Sequence, residues 1–332
     1  MRATLRMDMS TWRSGGFGLS SRAGKVEETL SDEPRERSAE RPRKRHDWSS
    51  MAHCLICKGH TDRRRLGGRF FYCPDCDFHF ADSTALPAPS GNADYGAGYY
   101  ARGSSPLDWI FRAFTVLEQQ RILSATRGCR RVLDIGCGSG WMAERLERQG
   151  VEAYGVDTSQ AAIELAARKV EPARLQCGTL AAAKFETDFF DAAVAVHVLE
   201  HVKDPVAFAT EARRILKEGG ILLLRIPNFA SWEAQLAGER WYHFDYPFHV
   251  AHYSPRAVTR LLQACGFRDA RVSHAMTEYR QTLLYALLSA LGIPLPLWLK
   301  MLLLPLQLVF VPLSWLMGLL GNSGTIEVVA RK

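Results

Sequence analysis

The chain has 332 residues, 47% of them apolar, and a formal net charge of +7 at neutral pH. That is length and apolar content enough for a packed core and more than one domain, which excludes a wholly disordered chain. A charge this modest gives only a weak pull toward nucleic acid or anionic lipid.

Residues 1–50 are rich in Arg, Ser, Gly and Glu and carry no periodic apolar pattern. Such a stretch cannot bury enough surface to offset its ordering entropy, so we expect a disordered tail. It has no apolar signal-peptide core, and export is not expected. Met51 stands immediately before the first patterned segment, so a start assigned too far upstream would produce the same tail.

The segment 51–85 holds two Cys-x-x-Cys pairs, Cys54 and Cys57, then Cys73 and Cys76. Each pair sets two thiolates on a tight turn, and two such turns complete a tetrahedral four-sulfur site. With every ligand position filled, the metal is expected to be structural. Zn²⁺ is the expected ion, and iron, which takes the same four thiolates, stays open. Cys129, Cys137, Cys177 and Cys265 are scattered and read as small buried residues, which suits a reducing compartment. Residues 86–115 form a linker containing Tyr95, Tyr99 and Tyr100.

From residue 116 the pattern changes to short apolar strands alternating with helical segments. "RRVLDIGCGSGWMAERLERQG" reads as strand, Gly-rich turn and helix, and "VEAYGVDTSQAAIELAARKV" as a second strand and helix. "FFDAAVAVHVLEHV", a helix over "DPVAFATEARRILKEGG" and the strand "ILLLRIPN" follow. This alternation predicts an α/β domain with a parallel sheet covered on both faces. Ser254–Pro255 marks a helix start and Gly266 its end. Gly136, Gly138 and Gly140 let the backbone approach a ligand closely, and the acid ending the next strand, Asp157, suits ribose hydroxyls. By that pattern alone the ligand is NAD or another adenosine-containing cofactor.

The ordered blocks "VLDIGCGSG", "GVD", "FFDAAVAVHVLEHVKDP" and "RILKEGGILLLRIPN" resemble the class I S-adenosylmethionine-dependent methyltransferases. The resemblance implies a doubly wound, seven-stranded, mostly parallel sheet with an antiparallel last strand, over residues 116–332. It implies S-adenosyl-L-methionine as cofactor, with Asp134, Gly136 and Gly138 along its methionine part and Asp157 on its ribose. Thr179 and Leu180 would lie beside the adenine, where relatives often place an acid and this chain has none. His197 would lie near the methyl end. The Tyr-containing linker is similar to a segment that folds as a lid in zinc-bearing relatives, including sugar-modifying ones.

Methyl transfer from a sulfonium needs alignment of a nucleophile, and a hydroxyl acceptor also needs a base, most often His. The stretch "RWYHFDYPFHVAHYSP" supplies His243, Asp245, His249 and His252. We take His249, His243 and His197 as candidates for base or substrate contact, and read His252 as a packing residue. The place after the fourth strand lacks the Asn/Asp-Pro-Pro-aromatic element of enzymes that methylate amino groups of nucleic-acid bases, so base methylation of that sort is disfavoured, and nucleic acid is not an expected partner.

Residues 283–320 are almost wholly apolar, and "GTIEVVARK" follows as a last strand. In the implied fold they are an insertion between strands six and seven that must leave and return at neighbouring points. Lys300 separates runs 283–299 and 301–320, each near the length that crosses a bilayer, but Pro294, Pro296, Pro305 and Pro312 oppose straight helices. We expect a kinked helical hairpin set in the cytoplasmic leaflet, which directs the enzyme to a lipid-linked, glycolipid or quinone-type acceptor for O- or C-methylation. A dimer interface or substrate lid is the alternative use of the segment. An RNA methyltransferase and a non-catalytic membrane adaptor are the competing functions. Oligomeric state is not readable from the sequence.

Overall fold

The computed structural model describes residues 52–82, 119–275, 287–288, 290–291, 312–313 and 316–332. The expectations for the 1–50 tail, the Tyr-containing linker and most of the 283–320 insertion lie outside the described residues.

The central sheet has seven strands. Five are β6 (Arg131–Ile135), β7 (Glu152–Asp157), β8 (Leu175–Cys177), β9 (Phe190–Val196) and β10 (Leu216–Pro227), followed by β12 (Arg268–His274) and β13 (Thr325–Arg331). Their spatial order is β12-β13-β10-β9-β6-β7-β8. Pairings among β6 to β10 are parallel, and β13 runs antiparallel to both β10 and β12. This is the doubly wound arrangement that the resemblance implied, around the parallel sheet expected from the alternating pattern. The side chains of Phe190, Leu133, Leu222 and Leu224 are fully buried in its centre, as parallel strands covered on both faces require. β8, only three residues long, carries too little pattern to be read as a strand from sequence.

Helices α1 (Trp141–Glu147), α2 (Gln160–Ala166), α3 (Pro205–Ile215), α4 (Trp232–Ala237) and α5 (Pro255–Ala264) are set by local chemistry. The Asp204 carboxylate accepts from Ala207 N and opens α3, with Pro205 at its first position. Ser254 caps α5 on Ala257 N ahead of Pro255, and Gly266 follows its end with φ +85°, as the sequence indicated. The helix expected over residues 204–220 stops at Ile215, because Gly219 takes φ +76° and the chain has already joined β10.

β12 and β13 meet at His274↔Ile326, with Ala275 N donating to Thr325 O at 3.0 Å. β12 therefore ends, and β13 begins, at adjacent points of the sheet.

The cysteine-bearing segment supplies β1 (Ala52–His53), β2 (His60–Thr61), β3 (Arg64–Arg65), β4 (Phe70–Cys73) and β5 (Phe78–Ala81). A downstream strand, β11 (Ala251–Tyr253), completes the larger of its two sheets, in the order β11-β5-β4-β3. It pairs antiparallel with β5 through Ala251↔Phe80, His252↔His79 and Tyr253↔Phe78. Cys54, Cys73 and Cys76 lie in the same apolar cluster as Phe78, Tyr253, Leu199 and the central strands. The cysteine-bearing segment thus shares one core with the α/β domain, joined through the histidine-rich stretch.

Candidate active site

The turn after β6 is built on backbone donors. Gly136 N and Cys137 N both bond Val156 O, at 2.7 and 3.1 Å. Gly136 has φ +70°, and a Cβ there would meet Val198 Cγ2 at 2.5 Å. Glycine is required at this point, and the loop after β9 is thereby pressed directly against the Gly-rich turn. Asp157 ties the turn to the tip of β7: one carboxylate oxygen accepts from Gly138 N at 2.9 Å and the other from Ser159 N at 2.8 Å. Gly178 N donates to Asp157 O at 2.8 Å, which brings the exposed Thr179 and buried Leu180 to the same rim. Thr179 Oγ1 accepts from Ala182 N at 3.2 Å and so stiffens its own turn.

Asp134 is buried, and its Oδ2 has no hydrogen-bond partner. Burial, together with the Asp157 charge, pushes its carboxyl up to about 7. An orphaned buried carboxylate oxygen under a glycine cradle, with a second carboxylate at the next strand tip, suits a cationic ligand that also bears a ribose. The residues present therefore fit S-adenosylmethionine.

The histidines gather on the other side of the β9 loop. His197 adopts φ +55°, and its backbone N–H donates to Arg225 O at 2.9 Å. Its Nδ1 lies 3.2 Å from Glu200 Oε1, and its ring stacks on His243 at 5.8 Å. Burial opposes ionisation of Glu200, but the His197 hydrogen bond and the surrounding imidazoles hold its carboxyl below the usual range. His249 donates from Nδ1 to His243 O at 2.6 Å, and its ring packs edge-on to His201 at 4.6 Å. Burial holds His249 down to about 4, so it is neutral at pH 7. The three histidines singled out from the sequence thus converge on one wall.

His252 does not join them chemically. Both of its ring nitrogens lack partners, and Phe70, Phe229 and Phe244 surround it at 4.9, 4.9 and 5.4 Å between ring centroids. It packs, as expected. Glu200 and His201 were not singled out from the sequence as site residues. Their signal was present in "HVLEHV", whose i, i+3 and i+4 spacing sets His197, Glu200 and His201 around a single turn.

The four cysteine sulfurs lie within 4.8 Å of one another, and Cys57 Sγ and Cys73 Sγ are 3.7 Å apart. Bonds of about 2.3 Å to a tetrahedral zinc set sulfurs about 3.8 Å apart, so the thiols fit such an ion. Lys58 at φ +61° and Asp77 at φ +54° turn the chain just after each pair. Arg260 of α5 donates to Asp75 O at 2.6 Å and to Cys76 Sγ at 3.8 Å, tying the site to the main domain.

Residues 103–272, about half the chain, match the family model described as "Methyltransferase domain". The chain belongs to the methyltransferase-domain family. It is similar to the ubiquinone biosynthesis O-methyltransferase of Alkalilimnicola ehrlichii, at 36% identity over 104 residues, covering 30% of this chain and 42% of the relative. The enzyme of the same name from Dinoroseobacter shibae is also 36% identical, over 128 residues, 37% of this chain and 51% of the relative. The chain thus spans about half the length of these curated relatives. Among solved structures, an S-adenosylmethionine-dependent methyltransferase from Archaeoglobus fulgidus aligns with 66% of this chain and 94% of its own, at 19% identity and a TM-score of 0.48.

Proposed function

We propose that this chain is an S-adenosylmethionine-dependent O-methyltransferase acting on a hydroxyl of a lipid-linked, quinone-type acceptor at the cytoplasmic face of the membrane. The observation that carries the reading is the His197–Glu200 pair held against the Gly136 turn through Val198. The relatives' printed activity supports the choice of oxygen and of a quinone-type acceptor.

Bound S-adenosylmethionine supplies a methyl group on a sulfonium. Asp134 and the Gly136–Gly138 backbone would hold its cationic end, and Asp157 its ribose. Glu200 accepts the Nδ1–H of His197, which fixes the tautomer and leaves Nε2 as the acceptor for the substrate hydroxyl proton. Nε2 would take that proton from an acceptor lined up with the methyl group that S-adenosylmethionine would supply. Buried Trp241 and Phe244 flank the wall and help to exclude water. The four thiolates would hold a structural Zn²⁺, with no open position for a part in transfer.

The membrane part of the reading rests on the 283–320 segment. Among the described residues no helix is long and apolar enough to cross a membrane. The described residues of the insertion nevertheless expose Leu287, Leu291, Leu313, Leu316, Leu319 and Leu320. Full-length chain is expected to sediment with liposomes, and chain in which 283–320 is replaced by a short turn to stay in the supernatant while still binding cofactor. Equal sedimentation of the two would remove the membrane from the proposal.

Asp134 gives the cofactor step a pH dependence. A carboxyl raised to about 7 in the fold lends stability that is complete below the ordinary carboxylate range and is lost as pH rises through about 7. A cationic ligand favours the ionised form, so S-adenosylmethionine affinity should fall about tenfold per unit as pH drops below 7. Calorimetric titration from pH 5.5 to 8.5 checks this, and Asp134→Asn should flatten the profile.

A further inference from the structure

A cleft of about 450 Å³ lies between the cysteine-bearing segment and the loop that follows α4. Arg69 lines it from the segment, and Glu239, Trp241, Phe244, Asp245 and Tyr246 line it from the loop. Two carboxylates against one guanidinium give the cleft a net negative charge, and three aromatic side chains stand around them. None of these residues belongs to the cofactor rim or to the proton-transfer pair. Trp241 marks the boundary, with its ring 5.0 Å from that of His243 on the histidine wall.

The cleft already holds a cation of its own. The Arg69 guanidinium lies 5.2 Å from the centroid of the Tyr246 ring, and its Nη1 donates to Glu239 Oε2 at 3.3 Å. A positive group over an aromatic ring and beside a carboxylate is the arrangement that recognises organic ammonium ions. Arg69 and Glu239 are both largely exposed, and an exposed pair of this kind adds little stability. A ligand cation can therefore take the place of the guanidinium at small cost. Asp245 is exposed, and its carboxylate makes no hydrogen bond or ion pair among the described residues, so it offers a second anionic group.

The surroundings fix Glu239 in place. Gly67 has φ +62°, and a Cβ there would meet Glu239 Oε1 at 3.1 Å, so the turn after β3 lies directly against the acid. On the other side, Arg240 donates to Ala290 O at 3.0 Å, which sets the cleft beside the first described residues of the apolar insertion. We infer that this cleft binds an organic ammonium group, held by Glu239, Asp245 and the side of the Tyr246 ring that Arg69 now covers. The site is separate from the cofactor rim and does not depend on the reaction proposed above. A soluble amine and a phospholipid headgroup share this chemistry, and the test separates them.

The test uses the full-length chain and choline as the probe, followed by saturation-transfer NMR of its methyl protons. Choline should bind, and the uncharged alcohol with carbon in place of its nitrogen should bind at least about tenfold more weakly. Glu239→Gln and Asp245→Asn should each weaken choline at least about threefold. Arg69→Ala removes the competing cation and should tighten choline by a similar factor. Thermal melts check that each variant is folded. Equal binding of the two probes, unchanged affinity in both carboxylate variants, or weaker binding by Arg69→Ala would overturn the site. Once choline binding is mapped to the cleft, sedimentation with phosphatidylcholine vesicles identifies the source. A weaker pellet of Asp245→Asn than of wild type assigns the site to a lipid headgroup, and equal pellets assign it to a soluble amine.

Discussion

His197→Ala is expected to lower kcat for methyl transfer about 10²–10⁴-fold, the usual contribution of a positioned general base. S-adenosylmethionine affinity should stay within about twofold, because the cofactor rim at Asp134, Gly136 and Asp157 is separately anchored by Gly138 N and Val156 O. His252→Phe is the contrasting case. His252 sits in an aromatic cage with both ring nitrogens unpartnered, so an apolar ring of similar shape should leave kcat unchanged and raise the melting temperature. Steady-state kinetics with a hydroxylated quinone precursor, alongside thermal melts, separates the two. A His197→Ala enzyme with wild-type kcat would remove this residue from proton transfer.

On the zinc reading of the four-cysteine site, loss of its metal should have an effect of comparable size at a distance. In Cys54→Ser with Cys73→Ser the segment loses the binding energy that orders it, which for structural zinc is about 10–16 kcal/mol in small domains. Strand β5 then no longer supports β11, and β11 lies three residues or fewer from both His249 and the α5 cap at Ser254. Methyl transfer should fall at least about 100-fold, as misplacement of catalytic groups by an ångström does. The parallel strands β6 to β9 should still bind cofactor, because no cysteine ligand touches the Gly-rich turn. Activity and cofactor calorimetry on the same preparation give the answer. Full activity in the metal-free variant would show that the two sheets are independent.

How much of this was legible beforehand differs by region, for physical reasons. The α/β core was readable because its strands are near-continuous apolar runs, such as Phe190–Val196, and its helices carry explicit starts at Ser159, Asp204 and Ser254. The glycine turn and Asp157 were readable because their backbone requirements select residue types. The four cysteines were readable because metal geometry fixes their spacing. The partnership of β11 with β5 was not, since Ala251–Tyr253 is three residues long and nothing local names a strand so far upstream, at Phe78–Ala81, as its neighbour. Glu200 escaped notice for a related reason: its role depends on burial, and an acid in "HVLEHV" looks the same in sequence whether exposed or 1% exposed. The end of α3 at Ile215 was misjudged because "LKEGG" continues a helical pattern until Gly219 breaks it.

The central claim is methyl transfer to an acceptor oxygen at the histidine wall, and the most direct test follows the methyl group. Full-length chain would be incubated with methyl-labelled S-adenosylmethionine and liposomes carrying a polyprenylated catechol. The lipid product would then be analysed by mass spectrometry. The account predicts one labelled methyl per acceptor, attached to oxygen, formed by the wild-type chain and at least about 100-fold more slowly by His197→Ala. Label on carbon, or equal rates from the two chains, would contradict it.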